Sequence, residues 1–153
     1  MMKKTDGMDN AHFIFGAVIV VANRMDTLLE RELSQFNITA KQWFLSISVA
    51  SLFEHPPTMK EAAREMGTSH QNVKQVALKL QEKKLLHLKK DEKDARVTRL
   101  HFTKESEEFW AKTSGESLNF TQELFAGITQ EELASTRRAL AKMMDNLSEM
   151  DKK

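Results

Sequence analysis

Between Ala11 and Gln35, apolar residues recur at Ile14, Val18, Val21, Met25, Leu28 and Leu29 until Glu32 interrupts the stripe. Spacings of three and four predict one long helix. Phe13, Phe15, Ile19 and Val20 widen the stripe beyond what one packing surface covers, so this helix is expected to meet its own domain on one side and a second subunit on another. Thr39-Ala-Lys-Gln42 reads as a capping box, in which a hydroxyl and an amide three residues apart satisfy two orphan backbone donors. It opens a helix of about 40–53 carrying Trp43, Phe44, Ile47, Leu52 and Phe53. His55-Pro56-Pro57 then imposes an extended turn, because proline fixes its own φ and disfavours helix in the residue before it.

A second capping box, Thr58-Met-Lys-Glu61, starts a short helix running through Ala62 to Met66 and stopping at Gly67. Thr68-Ser69 is a cap-type pair that opens a longer helix to about Lys84, with Val73, Val76, Ala77 and Leu80 on its buried stripe. Helix, glycine turn and capped helix form a helix-turn-helix signature. From Leu85 the period changes: Leu86 and Leu88 alternate with polar positions, Asp91 to Ala95 is a charged turn, and Val97, Arg99/Leu100 and Phe102 belong to a returning strand. A hairpin in that position is a wing. Thr103 caps a further helical region, and the Thr129-Gln-Glu-Glu132 box opens a last helix with Leu133, Leu140, Met143/Met144, Leu147 and Met150 along one side.

The expected fold is therefore mostly α with a small β-hairpin wing: a winged helix-turn-helix with long N- and C-terminal helices. Residues 1–10 are expected to be a flexible arm, 11–38 the N-terminal dimerisation helix, 39–103 the winged domain, 104–150 the C-terminal helices, and 151–153 a tail.

The composition, 41% hydrophobic and 29% charged over 153 residues, suits a globular chain with one core. Cysteine is absent, which excludes disulfides, thiolate metal sites and cysteine redox chemistry and points to a reducing cytoplasm. The longest apolar run, Phe13 to Ala22, is about half the roughly 20 residues that span a bilayer, so no membrane association is expected. Net charge is +1, yet residues 56–103 hold eleven Lys/Arg against six Asp/Glu while both flanks are net acidic. A basic centre between acidic ends fits a segment that meets a polyanion; a solvated lysine-rich face fits the charge alone equally well.

A major groove about 12 Å wide admits one helix, which presents its N-terminal turn to base edges. Here that turn is Thr68, Ser69, His70, Gln71 and Asn72, followed by Lys74 and Gln75. Amides suit adenine and lysine suits guanine or phosphate; a polar solvated helix face is the plainer reading of the same residues. The wing carries Lys89, Lys90, Lys93 and Arg96. An arginine at a hairpin tip can enter a narrow minor groove. Asp94 cannot bind phosphate, and its expected role is to orient Arg96 or to brace the turn. The five histidines show no i, i+4 pairing, so no metal site and no cofactor is expected.

The run Thr58 to Thr103, with Asp94-Ala-Arg96 followed by Val97, Leu100, Phe102 and Thr103, resembles the multiple-antibiotic-resistance regulator (MarR) family of winged-helix repressors, and the helical order extends the resemblance over roughly residues 11–150. It implies a homodimer built from the first and last helices, a pseudo-palindromic duplex-DNA operator, and a small-molecule effector bound between the dimerisation and DNA-binding parts. His12, Phe15, Trp43 and Phe44 are candidates to line such a cavity, with plain core as the competing reading. Two positions depart from the family pattern: Lys84 stands where a glycine usually ends the recognition helix, and Ser106 where glycine is frequent. No phosphate-cradling glycine loop, HExxH or Gly-x-Ser-x-Gly motif is present, so catalysis is not expected. The competing class is a winged-helix module that binds a protein partner through its basic wing.

Overall fold

The computed structural model describes residues 7–153, apart from the side chains of residues 116–118. Residues 1–6 of the expected N-terminal arm lie outside the described residues. The chain divides into two compact units, one ending at Glu116 and the other spanning Ser117–Lys153.

Helix α1 covers Asn10–Leu33 and is capped by Asp9, whose carboxylate accepts from the backbone of Ala11 and His12. A short 3-10 turn, Ser34–Phe36, leads to Asn37, which takes a left-handed φ of 54°. Helix α2 is Ala40–Leu52, α3 is Met59–Glu65 and α4 is His70–Glu82. The capping boxes at Thr39/Gln42 and Thr58/Glu61 are both closed, and Ser69 caps α4 by accepting from Asn72 N–H at 3.1 Å. Strands β1 (Leu86–Lys90) and β2 (Thr98–Phe102) form an antiparallel hairpin, which Thr58 extends by a single bridge to Arg99. Helix α5 spans Lys104–Leu124, and Thr103 receives the Ser106 N–H at its start. Helix α6, Gln130–Asp151, opens on the third closed capping box, Thr129/Glu132.

One core holds the first unit together. Ile38, Leu45, Val49, Met59, Ala62, Ala63, Val73, Ala77, Leu80, Leu85, Leu86 and Leu100 pack into a single cluster drawn from α2, α3, α4 and the hairpin. Leu45, Leu80 and Leu86 are wholly inaccessible, and each such side chain contributes about 1.5–3 kcal/mol through burial. The α4 stripe falls as the periodicity predicts, with Val73, Ala77 and Leu80 buried and Val76 half-buried. Helix α2 divides differently from its apolar pattern: its buried side is Leu45, Ser46 and Val49, while Phe44, Ile47 and Leu52 face outward. An element with apolar residues all round gives no period from which to choose the inner face.

Helix α1 buries only Leu29 and Leu33. Phe13, Ile14, Phe15, Val18, Ile19, Val20, Val21 and Leu28 are all exposed, Phe15 by 71%. The Asn10–Phe36 segment is also long and apolar enough to cross a membrane. In the second unit α6 exposes Leu140, Met144, Leu147 and Met150.

Candidate nucleic-acid interface

The turn between α3 and α4 is set by backbone geometry. Gly67 takes φ +63°, the left-handed region that glycine adopts at little cost, and Thr68 N–H returns to the Ala63 carbonyl at 3.0 Å. This delivers Ser69 to the N-cap and turns Ser69, His70, Gln71, Asn72, Lys74 and Gln75 to solvent, with Thr68 half-buried behind them. Asn72 is held from two directions: its backbone donates to the Ser69 hydroxyl, and its side-chain amide donates to Thr68 Oγ1 at 3.1 Å. The amide is thus positioned before any ligand arrives. The residues expected to read bases do form one exposed surface at the start of α4.

The wing is built on Asp91, which the sequence showed only as part of a charged turn. Its Oδ1 accepts from the backbone N–H of Lys93 at 2.9 Å and of Asp94 at 3.0 Å, and its Oδ2 accepts from Arg99 Nε. The Arg99 hydrogen bond, followed by the two backbone donors, lowers the Asp91 pKa from 3.8 to about 2. Arg99 also donates from Nη1 to the Pro56 carbonyl at 2.9 Å and lies 3.9 Å from Glu61, the closing residue of the α3 capping box. One guanidinium therefore joins the hairpin turn to the segment entering the helix-turn-helix. Aspartate followed by free N–H groups two and three residues on is a recognisable turn signal; its link to Arg99 depends on strand register and is not local.

Asp94 performs both tasks expected of it. Its Oδ1 accepts from Arg96 N–H at 3.0 Å and from Arg96 Nε at 3.2 Å, leaving the Arg96 side chain 92% exposed beside the turn. Lys89, Lys90 and Lys93 are exposed along the same hairpin. On one hairpin face His87 sits directly opposite His101, next to the pair Lys89 and Arg99. Burial first, then Lys89, Arg99 and His87, lowers the pKa of His101.

The four candidate effector residues are not brought to a common cavity. His12 and Phe15 are exposed on α1, Phe44 is exposed on α2, and Trp43 packs against the core. A hollow of about 670 Å³ lies elsewhere, between Asp26 and Glu30 of α1, Thr39 and Gln42 at the start of α2, and Gln75 and Lys79 of α4. Among the described residues no group of three or more His, Asp or Glu side chains could hold a metal ion.

No protein-family model matches the chain, and no curated protein sequence matches it. Solved structures do match. A MarR/EmrR family transcriptional regulator from Acinetobacter sp. ADP1 superposes with a TM-score of 0.81 at 16% identity, covering 93% of this chain and 99% of that one. The chain has the fold of the MarR-family transcriptional regulators. The same MarR fold is seen in the S. aureus MepR–DNA complex, with a TM-score of 0.75, 18% identity, and coverage of 91% of this chain and 98% of that one. It recurs in Bordetella bronchiseptica BpsR, described for the regulation of its DNA binding by 6-hydroxynicotinic acid, with a TM-score of 0.73, 18% identity, and coverage of 90% and 94%.

Both departures from the MarR sequence pattern have structural outcomes. Lys84 takes a left-handed φ of 62°, and its N–H bonds to the Gln81 carbonyl at 2.9 Å while Leu85 N–H reaches Leu80 at 3.0 Å. The glycine-type helix ending is therefore made by a residue with a Cβ, at a cost of about 1–2 kcal/mol. Ser106 is 1% exposed and donates its hydroxyl to the Thr103 carbonyl at 2.6 Å. A small polar side chain is thus accommodated where glycine is frequent.

Proposed function

We propose that this chain is a MarR-family regulator that reads duplex DNA sequence-specifically as a homodimer, represses by occupying a pseudo-palindromic operator, and is released by a small-molecule effector. The observation that carries the reading is the pairing of an exposed, pre-positioned polar turn, Ser69 to Asn72, with a wing whose Arg96 projects into solvent. In this assignment Gln71, Asn72, Lys74 and Gln75 meet base edges and phosphates of the major groove, and Lys89, Lys90, Lys93 and Arg96 follow the adjacent backbone and minor groove. The apolar surface of α1 is covered by a second copy, which removes from water the residues the isolated chain exposes. Effector release is supported by the 6-hydroxynicotinic acid regulation of BpsR. This reading gives the chain no catalytic role.

Selection of bound sequences from a random duplex pool, followed by a salt titration, tests the proposal. We expect a two-fold symmetric motif with half-sites about 34 Å apart and a log–log salt slope of about −0.9 per phosphate contacted. A pool without enrichment, together with binding that ignores salt, would sink DNA reading and favour a protein partner for the basic wing.

A further inference from the structure

At the C-terminal end of α4, two consecutive lysines hold three elements to one point. Lys83 extends its ammonium to the α1–α2 corner, donating to the carbonyl of Asn37 and, at 3.0 Å, to Oε1 of Gln42. Asn37 is the left-handed residue that turns the chain into α2. Gln42 is 6% exposed, and the same Oε1 accepts from Thr39 N–H at 3.2 Å to close the capping box. The ammonium is thus partly withdrawn from water and held by two protein oxygens, and burial, then Lys79, lowers its pKa. The next residue, Lys84, makes the left-handed bend, and its carbonyl accepts from Thr103 Oγ1 at 2.7 Å, where β2 gives way to α5. The α1–α2 corner, the recognition helix and the root of the wing therefore meet at one dipeptide.

Distance gives this joint leverage. Thirteen residues separate Lys83 from the reading end at His70, and at 1.5 Å per residue that is a lever of about 20 Å, on which a tilt of about 5° moves the tip by about 1.7 Å. Base-edge hydrogen bonds, which work over a range of about 0.5 Å, do not survive such a movement. Phosphate contacts, which carry no sequence information, tolerate it far better.

We propose that Lys83 is a positioning residue that sets the pitch of the recognition helix against the α1–α2 corner, so that a change in the course of α1 reaches the His70–Asn72 turn and the wing root through one joint. The proposal rests on the DNA-reading assignment above for its consequence, though not for its geometry.

Lys83→Met keeps the aliphatic stem and removes the donor, while Lys83→Arg keeps a donor. In the free protein, backbone amide shifts are expected to change in Lys83→Met at His70–Asn72 and at Leu100–Thr103, and to return largely in Lys83→Arg. Changes confined to residue 83 and the 37–42 corner overturn the proposal. On DNA, Lys83→Met is expected to weaken operator binding about tenfold or more while affinity for an unrelated duplex stays within about twofold. Equal losses on both duplexes, at matched fraction folded, also overturn it. Gln42→Glu retains the acceptor for both Lys83 and the capping box and is expected to preserve operator preference; Gln42→Leu, compared at matched fraction folded because it also opens the capping box, is expected to reduce operator preference less in the Lys83→Met background than in the wild type, since the two substitutions share the Lys83–Gln42 contact. Fully additive losses count against the joint. If the wild-type protein shows no operator preference, the DNA-reading assignment fails and the amide shifts alone judge the joint.

Discussion

Arg99 and Asp91 close the wing across eight residues of chain, Arg99 Nε donating to Asp91 Oδ2 while Arg99 Nη1 holds the Pro56 carbonyl at 2.9 Å. The hairpin is thereby fixed to the helix-turn-helix entrance as well as to itself. Because the folded Asp91 carboxyl titrates at about 2, below its unfolded value of 3.8, its stabilising contribution is complete well above pH 3.8 and disappears as pH falls toward 2. We expect Asp91→Asn to flatten the acid limb of the stability–pH curve in that window, measured by chemical denaturation. An unchanged limb would show that other carboxylates govern acid unfolding. Arg99→Gln is expected to reduce duplex-DNA affinity about threefold to tenfold, since a loosened hairpin presents Arg96 less often.

Asn72 is held in place by Thr68 and Ser69, so under the proposed DNA reading its contribution should be to discrimination. Asn72→Ala or Gln71→Ala is expected to relax preference at one base of each half-site by about 1–3 kcal/mol, with nonspecific binding retained. A selection experiment that returns the unaltered motif would remove both residues from the readout. Arg96→Ala acts differently: it should weaken every duplex while leaving assembly intact.

Lys84 occupies a left-handed backbone position, and glycine has no Cβ to oppose it. Lys84→Gly should therefore raise stability by about 1 kcal/mol, seen as a higher denaturation midpoint with an unchanged slope. A loss of stability would mean that the lysine stem contributes more packing than its backbone costs.

His101 faces His87 across the hairpin, with Lys89 and Arg99 on the same side. Its pKa is lowered from 6.5, by burial first and then by these cations, so the unfolded chain binds a proton that the folded one resists. Stability should be full above about pH 6.5 and decline as pH drops through that value. His101→Gln should diminish this decline when denaturation is compared at pH 7.5 and 5.5. An identical drop in the variant would assign the effect elsewhere.

Ile19 is 52% exposed on the apolar side of α1. Ile19→Glu should convert the proposed homodimer to monomer in sedimentation equilibrium while preserving helix content. Monomeric wild-type protein that instead partitions onto lipid vesicles would reassign α1 from a subunit interface to a membrane surface, for which its length and hydropathy also suffice.

Local chemistry was the most legible part of the chain. The three capping boxes lie within four consecutive residues each, and every one closes as the residue types dictate. The Gly67 turn, the α4 stripe and the hairpin have the same short range, and the exposed polar surface at the start of α4 follows from them. Arg99 was legible only as a strand residue, because its partners stand eight and forty-three positions away and are chosen by register. Lys83 escaped notice for the same reason, its acceptors lying forty-one and forty-six positions back. On α2, apolar residues on every side concealed that Leu45 and Val49 face inward while Phe44 and Ile47 do not.

The hairpin's outer rims have a further consequence. On one flank the Leu88 N–H is taken by Gln81 Oε1 at 2.9 Å, and on the other the Leu100 N–H is taken by the Pro57 carbonyl at 2.8 Å. Open strand borders are templates for cross-molecule zippering and, ultimately, for fibrils. With these two donors already spent, and Lys89 and Lys90 charging the β1 border, the sheet is a poor seed for such growth even at the high local concentrations where copies crowd together.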